Sequence, residues 1–250
     1  MEKSPSVLPQ LLVSVKSAAE AKLAQSAGVD WIDLKNPEAG PLGRPDLGTL
    51  SATIETLCDW PKLSVALGEL SEIESSRTAQ PELEMARRFP IAKLALAETW
   101  TEQATGDLVA RIQNCFPHSE DWLVPVAYGD WQLCAAPPIS SVVKIAQELS
   151  SRYVLIDTYT KDGRNLLDFV ERSNLTHWID VAGDKGVEVV LAGSLRMRHV
   201  EQLWDTGAAA FGIRGAVCNG RRTGDVNLEK ILHWTKWIQD RRSPNSVAQI

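Results

Sequence analysis

Trp31-Ile-Asp-Leu-Lys-Asn-Pro37 reads as a short buried strand that ends in charge. Side chains along a strand alternate between faces, so Asp33 and Lys35 share one face and Ile32 and Leu34 the other. Directly upstream, Ser17-Ala-Ala-Glu20 has the spacing of a helix-starting capping box, and Gly28 stands where a helix ends. A helix, a glycine, a strand and a charged strand end therefore follow one another within 17–37.

Working outward, the same unit recurs. Apolar runs bounded by turn signals begin at Leu11 (LLVSV), Trp31 (WIDLK), Lys62 (KLSVAL), Ala92 (AKLALA), Trp122 (WLVPVA), Tyr153 (YVLIDTY), Glu188 (EVVLAG) and Ala209 (AAFGIR). Helical patterns such as DLVARIQNCF, SVVKIAQELSS, NLLDFVERSNL, RHVEQLWDTG and NLEKILHWTKWIQD separate or follow them. Strands alternating with helices imply a parallel sheet with helical crossovers, and closure predicts a (β/α)8 TIM barrel. An open doubly wound sheet is the competitor, but no Gly-x-Gly-x-x-Gly follows the first strand. The segments LAQSAGVDWIDLKNP and LWDTGAAAFGIRGA echo each other weakly, as barrel halves would. One domain is expected over 1–250, with a core at about 11–240 and flexible tails; the stretch RRSPNSVAQI after Asp240 is polar and aperiodic.

The chain has 250 residues, of which 44% are apolar and 23% charged, as in ordinary globular proteins. Its formal net charge of −6 argues against general nucleic-acid or anionic-membrane binding. The apolar runs are too short for a transmembrane helix, and the start MEKSPSVLPQ lacks a signal-peptide pattern, so a cytoplasmic protein is expected. Cys58, Cys115, Cys134 and Cys218 are scattered and read as reduced structural thiols. The histidines lack metal-ligand spacing, and neither a metal nor an organic cofactor is expected. Trp234 and Trp237 on the last helix would suit packing or a face for a second copy, giving a homo-oligomer.

In this barrel class the active site is built at the carboxyl ends of the strands. Parity points Asp33 and Lys35 inward on the second strand, Lys93 with Ala95 and Ala97 on the fourth, and Asp157, Tyr159 and Lys161 on the sixth. Ser64, Ala66 and Gly68 on the third would leave room for them. Taken singly, each charge reads as a core ion pair or a surface group. Together they are costly, at several kcal/mol per buried ion, so a functional use is the better reading. A free lysine titrates near ~10.4, and only about 1 in 2,500 is neutral at pH 7. Burial and a neighbouring positive charge, from Lys93 or Lys161 beside Lys35, favour the neutral amine that attacks a carbonyl. Asp33 and Asp157 would shuttle protons for imine formation and carbon–carbon bond making.

After the seventh strand, LAGSLR presents Gly193 and Ser194 at a helix start; after the eighth, FGIRGA presents Gly212, Arg214 and Gly215. Backbone amides in such turns accept anions, and phosphate sites of this fold commonly occupy these two loops. A phosphorylated small molecule is the expected ligand.

The segments LLVSV, DLKNPEAGPLG, KLALA, IDTYTKDG, LAGSL and FGIRGA together resemble the (5-formylfuran-3-yl)methyl phosphate synthase family, also called 4-(hydroxymethyl)-2-furancarboxaldehyde-phosphate synthase, of methanofuran biosynthesis. The resemblance spans roughly 11–240, and Asp-x-Lys-Asn-Pro followed by Gly-x-Leu-Gly is its most specific part. Val15 stands where the family has a proline, and Leu34 where it usually has valine; neither is a charged position. The resemblance implies a Schiff-base, aldolase-like lyase that condenses two molecules of glyceraldehyde 3-phosphate into a phosphorylated furan aldehyde, with loss of phosphate and water. Carried over, Lys35 would form the imine, Lys93 would accept a proton, and Asp33, Asp157 and Lys161 would assist. Competing readings are another class I aldolase or phosphosugar isomerase on this barrel, and a non-catalytic phosphometabolite sensor, which would have no use for interior lysines.

Overall fold

Each of the eight apolar runs forms a strand. A computed structural model describes residues 8–57, 60, 62–76, 79–100 and 105–243. The strands β1 (Gln10–Val15), β2 (Trp31–Leu34), β3 (Leu63–Glu69), β4 (Ile91–Ala95), β5 (Leu123–Tyr128), β6 (Tyr153–Asp157), β7 (Glu188–Leu191) and β8 (Ala210–Ile213) are all parallel. They close in chain order, β8 pairing with β1, into the (β/α)8 barrel. Around it run α1 (Ala18–Ser26), α2 (Leu47–Leu57), α3 (Leu70–Ser75), α4 (Gln80–Ala86), α5 (Thr105–Cys115), α6 (Ile139–Glu148), α7 (Arg172–Gly183), α8 (Met197–Leu203) and α9 (Leu228–Arg242).

Strand alternation builds two apolar layers. Val13, Ile32, Leu34, Val65, Leu94 and Ile156 face the helices, while Leu12, Trp31, Ala66, Ile91, Val126 and Leu155 fill the barrel. Parallel partners in register point the same way. Asp33 is level with Ser14 and Ser64, Lys93 with Ala66 and Val124, and Asp157 with Tyr128. Aromatics close the amino end. Trp31 and Tyr153 meet edge to face at 5.0 Å, and Lys62 Nζ lies 5.4 Å above Trp31 while donating to Gln10 Oε1 at 2.6 Å.

Several local expectations change. Ser17 Oγ caps α1 by accepting from Glu20 N at 3.2 Å, but the Glu20 carboxylate does not complete a capping box; it takes Lys16 N at 2.8 Å and pairs with Arg214 at 3.0 Å. A buried carboxylate gains more from a guanidinium than from one neutral amide. NLLDFVERSNL is not one helix, because Asn165 caps a separate 3-10 turn (Leu166–Asp168) and α7 begins only at Arg172. The two echoing segments end at β2 and β8, whereas half-barrel copies would lie four strands apart, so the echo does not mark barrel halves.

Trp234 is buried and offers no exposed face; it packs edge to face on Trp237, which meets Trp204 and lies under Arg241. α9 also continues through Arg241 and Arg242, past the expected tail boundary, and Arg242 binds Pro9 O and Asp30. The rest of that stretch, 244–250, lies outside the described residues, as does Cys58; Cys115, Cys134 and Cys218 are free thiols. Among the described residues no helix is long and apolar enough to cross a membrane.

Candidate active site

β2 ends at Leu34, and Lys35 extends its ladder by donating N–H to Val15 O at 2.9 Å. The following residues form a closed loop. Asn36 N donates to Gly43 O at 2.8 Å, and Asn36 Oδ1 accepts from Glu38 N at 3.0 Å to open a 3-10 turn over Pro37–Ala39. A Cβ at residue 43 would lie 2.3 Å from Asn36 O, so only glycine closes this loop. The Asn-Pro and Gly-x-Leu-Gly elements thus fix the backbone beside Lys35.

Two lysine–carboxylate pairs flank that lysine. Lys93 on β4 pairs with Asp33, whose oxygens also accept from Ser14 Oγ and Ser64 Oγ at 2.8 Å each. Lys161 pairs with Asp157 at 2.8 Å and reaches Thr158 Oγ1 at 3.1 Å, while Thr158 N donates to Asp157 at 2.7 Å. Among the described residues Lys35 Nζ has no hydrogen-bond or ion-pair partner, although Lys35 is only 7% exposed.

The electrostatics follow from this layout. Burial is the main cause that draws Lys35 down to about 7; the charges of Lys93 and Lys161 add to it, and Asp157 and Asp33 oppose it. Burial alone would raise Asp157, but Lys161 and then Lys35 outweigh it and hold the carboxyl at about 2. Asp33 is likewise held below the usual range by Lys93 and Lys35, against its burial. At neutral pH an amine of lowered pKa therefore stands between two ionised carboxylates. Each carboxylate accepts hydrogen bonds and pairs with its own lysine.

All ten residues selected from the sequence line one cavity of about 1220 Å³ at the carboxyl end of the barrel. Gly193 and Ser194 do not sit at a helix start, since α8 begins only at Met197. They form a turn with φ of 100° and 53°, and a Cβ at residue 193 would approach Thr158 Cγ2 to 3.0 Å. Consecutive amides in such a conformation can form a concave anion seat. Gly215 begins a 3-10 turn (Gly215–Val217) and is exposed to the cavity. Gly212 serves strand packing, because a Cβ there would lie 3.1 Å from Ala192 Cβ.

Arg214 differs from a free phosphate clamp. Its Nε donates to Arg222 O, Nη1 to Ser14 O and Glu20, and Nη2 to Gly224 O, at 2.7–3.1 Å. With these donors engaged and its side chain buried, it braces the chain after β8.

The profile of the 4-HFC-P synthase family matches residues 11–235. The chain belongs to that family. A relative named (5-formylfuran-3-yl)methyl phosphate synthase from Methanopyrus kandleri is 31% identical over 88% of this chain and 92% of its own. One of the same name from Methanococcus maripaludis is 28% identical over 92% of this chain and 99% of its own. Phosphoribosyl anthranilate isomerase from Thermus thermophilus shares the fold, with a TM-score of 0.58 over 93% of this chain and 100% of that one, at 14% identity. As a 4-HFC-P synthase family member, named for a synthase activity, the protein is an enzyme.

Sequence reasoning missed three contributors in this family member. Ser14 looked like one more strand residue, although its inward parity was countable. Glu20 was absorbed by the capping motif. Arg222 lines the cavity from the loop after β8, where GRRTGD gave an arginine pair between glycines as the only signal.

Proposed function

We propose that the protein is a (5-formylfuran-3-yl)methyl phosphate synthase acting in methanofuran-type cofactor biosynthesis, a lyase that condenses two molecules of glyceraldehyde 3-phosphate through an imine on Lys35. The observation that carries this reading is the buried Lys35 amine, without a partner among the described residues and set between two lysine–carboxylate pairs. Family membership supports the product. The neutral amine adds to the carbonyl of one triose phosphate and, on loss of water, gives an imine that acidifies the adjacent carbon. Lys93, charged in its pair with Asp33, gives its proton to the departing hydroxyl of the carbinolamine and, now neutral, removes the proton from that adjacent carbon, which restores the pair. The enamine expels phosphate from the neighbouring carbon, the second triose adds, and ring closure with dehydration yields an aromatic furan. Overall one phosphate and two waters leave, which balances two trioses against one furan aldehyde phosphate.

Lys161, paired with Asp157, would serve further proton transfers beside Lys35. Backbone amides of the Gly193–Ser194 turn and of Gly215 would seat a substrate phosphate. Purified protein with glyceraldehyde 3-phosphate should generate a near-ultraviolet furan chromophore and inorganic phosphate. Borohydride added during turnover should label Lys35. Isomerised triose or an open-chain sugar phosphate without furan would defeat the proposal, and a label on another lysine would remove Lys35 from its role.

A further inference from the structure

The loop after β8 folds into a closed hairpin over the barrel mouth. Cys218 and Val226 form an antiparallel bridge, Asn219 N donates to Asp225 O at 2.8 Å, and Gly224 N donates to Arg221 O at 2.9 Å. A Cβ at residue 224 would lie 2.4 Å from Asn219 O, so the hairpin closes only with glycine there. Its base is braced by Arg214 on Arg222 O and Gly224 O, and by Lys16 Nζ on Thr223 O at 2.8 Å. From this support the Arg222 side chain reaches a different part of the chain. Nη1 donates to Pro37 O at 2.8 Å and Nη2 to Gly40 O at 3.1 Å. Both carbonyls belong to the closed loop that follows Lys35.

We propose that Arg222 is a positioning residue for Lys35, its guanidinium fork fastening the loop after β2 to the braced hairpin after β8 and so setting where the amine stands in the cavity. The proposal rests on the reading that Lys35 forms the imine. Two separate carbonyls suit the two arms of a guanidinium, whereas the single ammonium of a lysine cannot span them in the same geometry. Displacing a reacting group by about 1 Å costs up to ~100-fold in rate, so a clamp two residues from Lys35 has leverage on the chemistry.

The test compares wild type, Arg222→Lys and Arg222→Gln, with kcat and KM for glyceraldehyde 3-phosphate, borohydride-trapping rate at Lys35 against pH, and thermal melting. The groups facing Lys35, which are Asp33 on β2, Lys93 on β4, and Asp157 and Lys161 at β6, are unchanged in both variants. The expected result is a fall in kcat and trapping rate of at least about 10-fold with KM within about 3-fold. The trapping midpoint should move upward from about 7 in Arg222→Gln, as a loosened loop lets water reach the amine. Arg222→Lys, which keeps the charge, carries the test should Arg222→Gln fail to fold.

A raised KM with kcat preserved would make Arg222 a phosphate ligand and overturn the proposal. So would a lowered melting temperature with unchanged kcat and trapping profile, the result of a purely structural tie. Absence of a Lys35 adduct in wild type would instead strike the functional reading itself, and this inference would fall with it.

Discussion

Two lysines near the axis of this barrel have opposite circumstances. Lys62 lies at the closed amino end, donating to Gln10 Oε1 and resting on the rings of Trp31 and Tyr153. Lys35 lies at the open carboxyl end, without a partner among the described residues, on the wall of the large cavity. Burial lowers the pKa of both. A lysine inside a barrel is therefore not by itself a mark of chemistry. What separates the two is that Lys62 donates to a protein oxygen, while Lys35 has no such partner among the described residues and faces the cavity.

The sharpest way to break that contrast is to remove each amine. Lys35→Met should reduce furan formation by at least about 10^4-fold, the scale expected for loss of a covalent nucleophile. It should also raise the melting temperature below pH 7, because a buried cation without a partner disappears. Loss of stability together with activity would show that Lys35 is a structural group like Lys62.

Next in size are the flanking pairs. Lys93→Met leaves Asp33 fully buried with only two hydroxyl partners, and should cost about 3–5 kcal/mol in denaturant unfolding along with most activity. Lys161→Met should cost clearly less stability, since the Lys161 side chain is 16% exposed and Asp157 keeps Thr158 N. Equal losses would mean the two pairs are not different in kind.

The pH dependence sharpens the comparison further. Imine formation needs the neutral amine, so kcat/KM should rise with pH and level off above about 7. Stability carries the matching sign. Lys35 titrates near 7 when folded and near 10.5 when unfolded, so between those values the unfolded chain binds more protons and wild-type stability rises with pH. Its deficit against Lys35→Met is full below pH 7 and closes toward 10.5, which unfolding curves at several pH values would show. The smallest effect is expected at the other end of the barrel, where Lys62→Met should leave turnover within about 2-fold.

Much of this was legible in the chain because buried parallel strands read as unbroken apolar runs and parity needs only counting. That is how Asp33, Lys35, Lys93 and Asp157 could be turned inward together. Counting fails where the backbone departs from regular geometry. At β3 the register shifts between Ala66 and Glu69, Gly68 takes a φ of 86°, and Glu69 turns to accept from Tyr128 Oη and Ala97 N at 2.7 Å each. The place expected for an inward Gly68 is thus passed to a carboxylate that burial holds above its usual range.

Pairing was hidden for another reason. Which lysine meets which carboxylate depends on side-chain reach across strands, and so does the difference between Arg214, occupied by carbonyls, and an arginine free for a ligand. Arg222 lies 185 residues from Pro37, a separation at which no local pattern operates.

Trp31 and Tyr153, buried and packed edge to face, floor the barrel interior at its amino end, so that the cavity opens at the carboxyl end. On the proposed reaction, the departing phosphate would leave by this carboxyl-end opening, through which the second triose arrives. Traffic in one direction obstructs traffic in the other, and accumulated inorganic phosphate should act as a brake on turnover, competing with the later-arriving substrate.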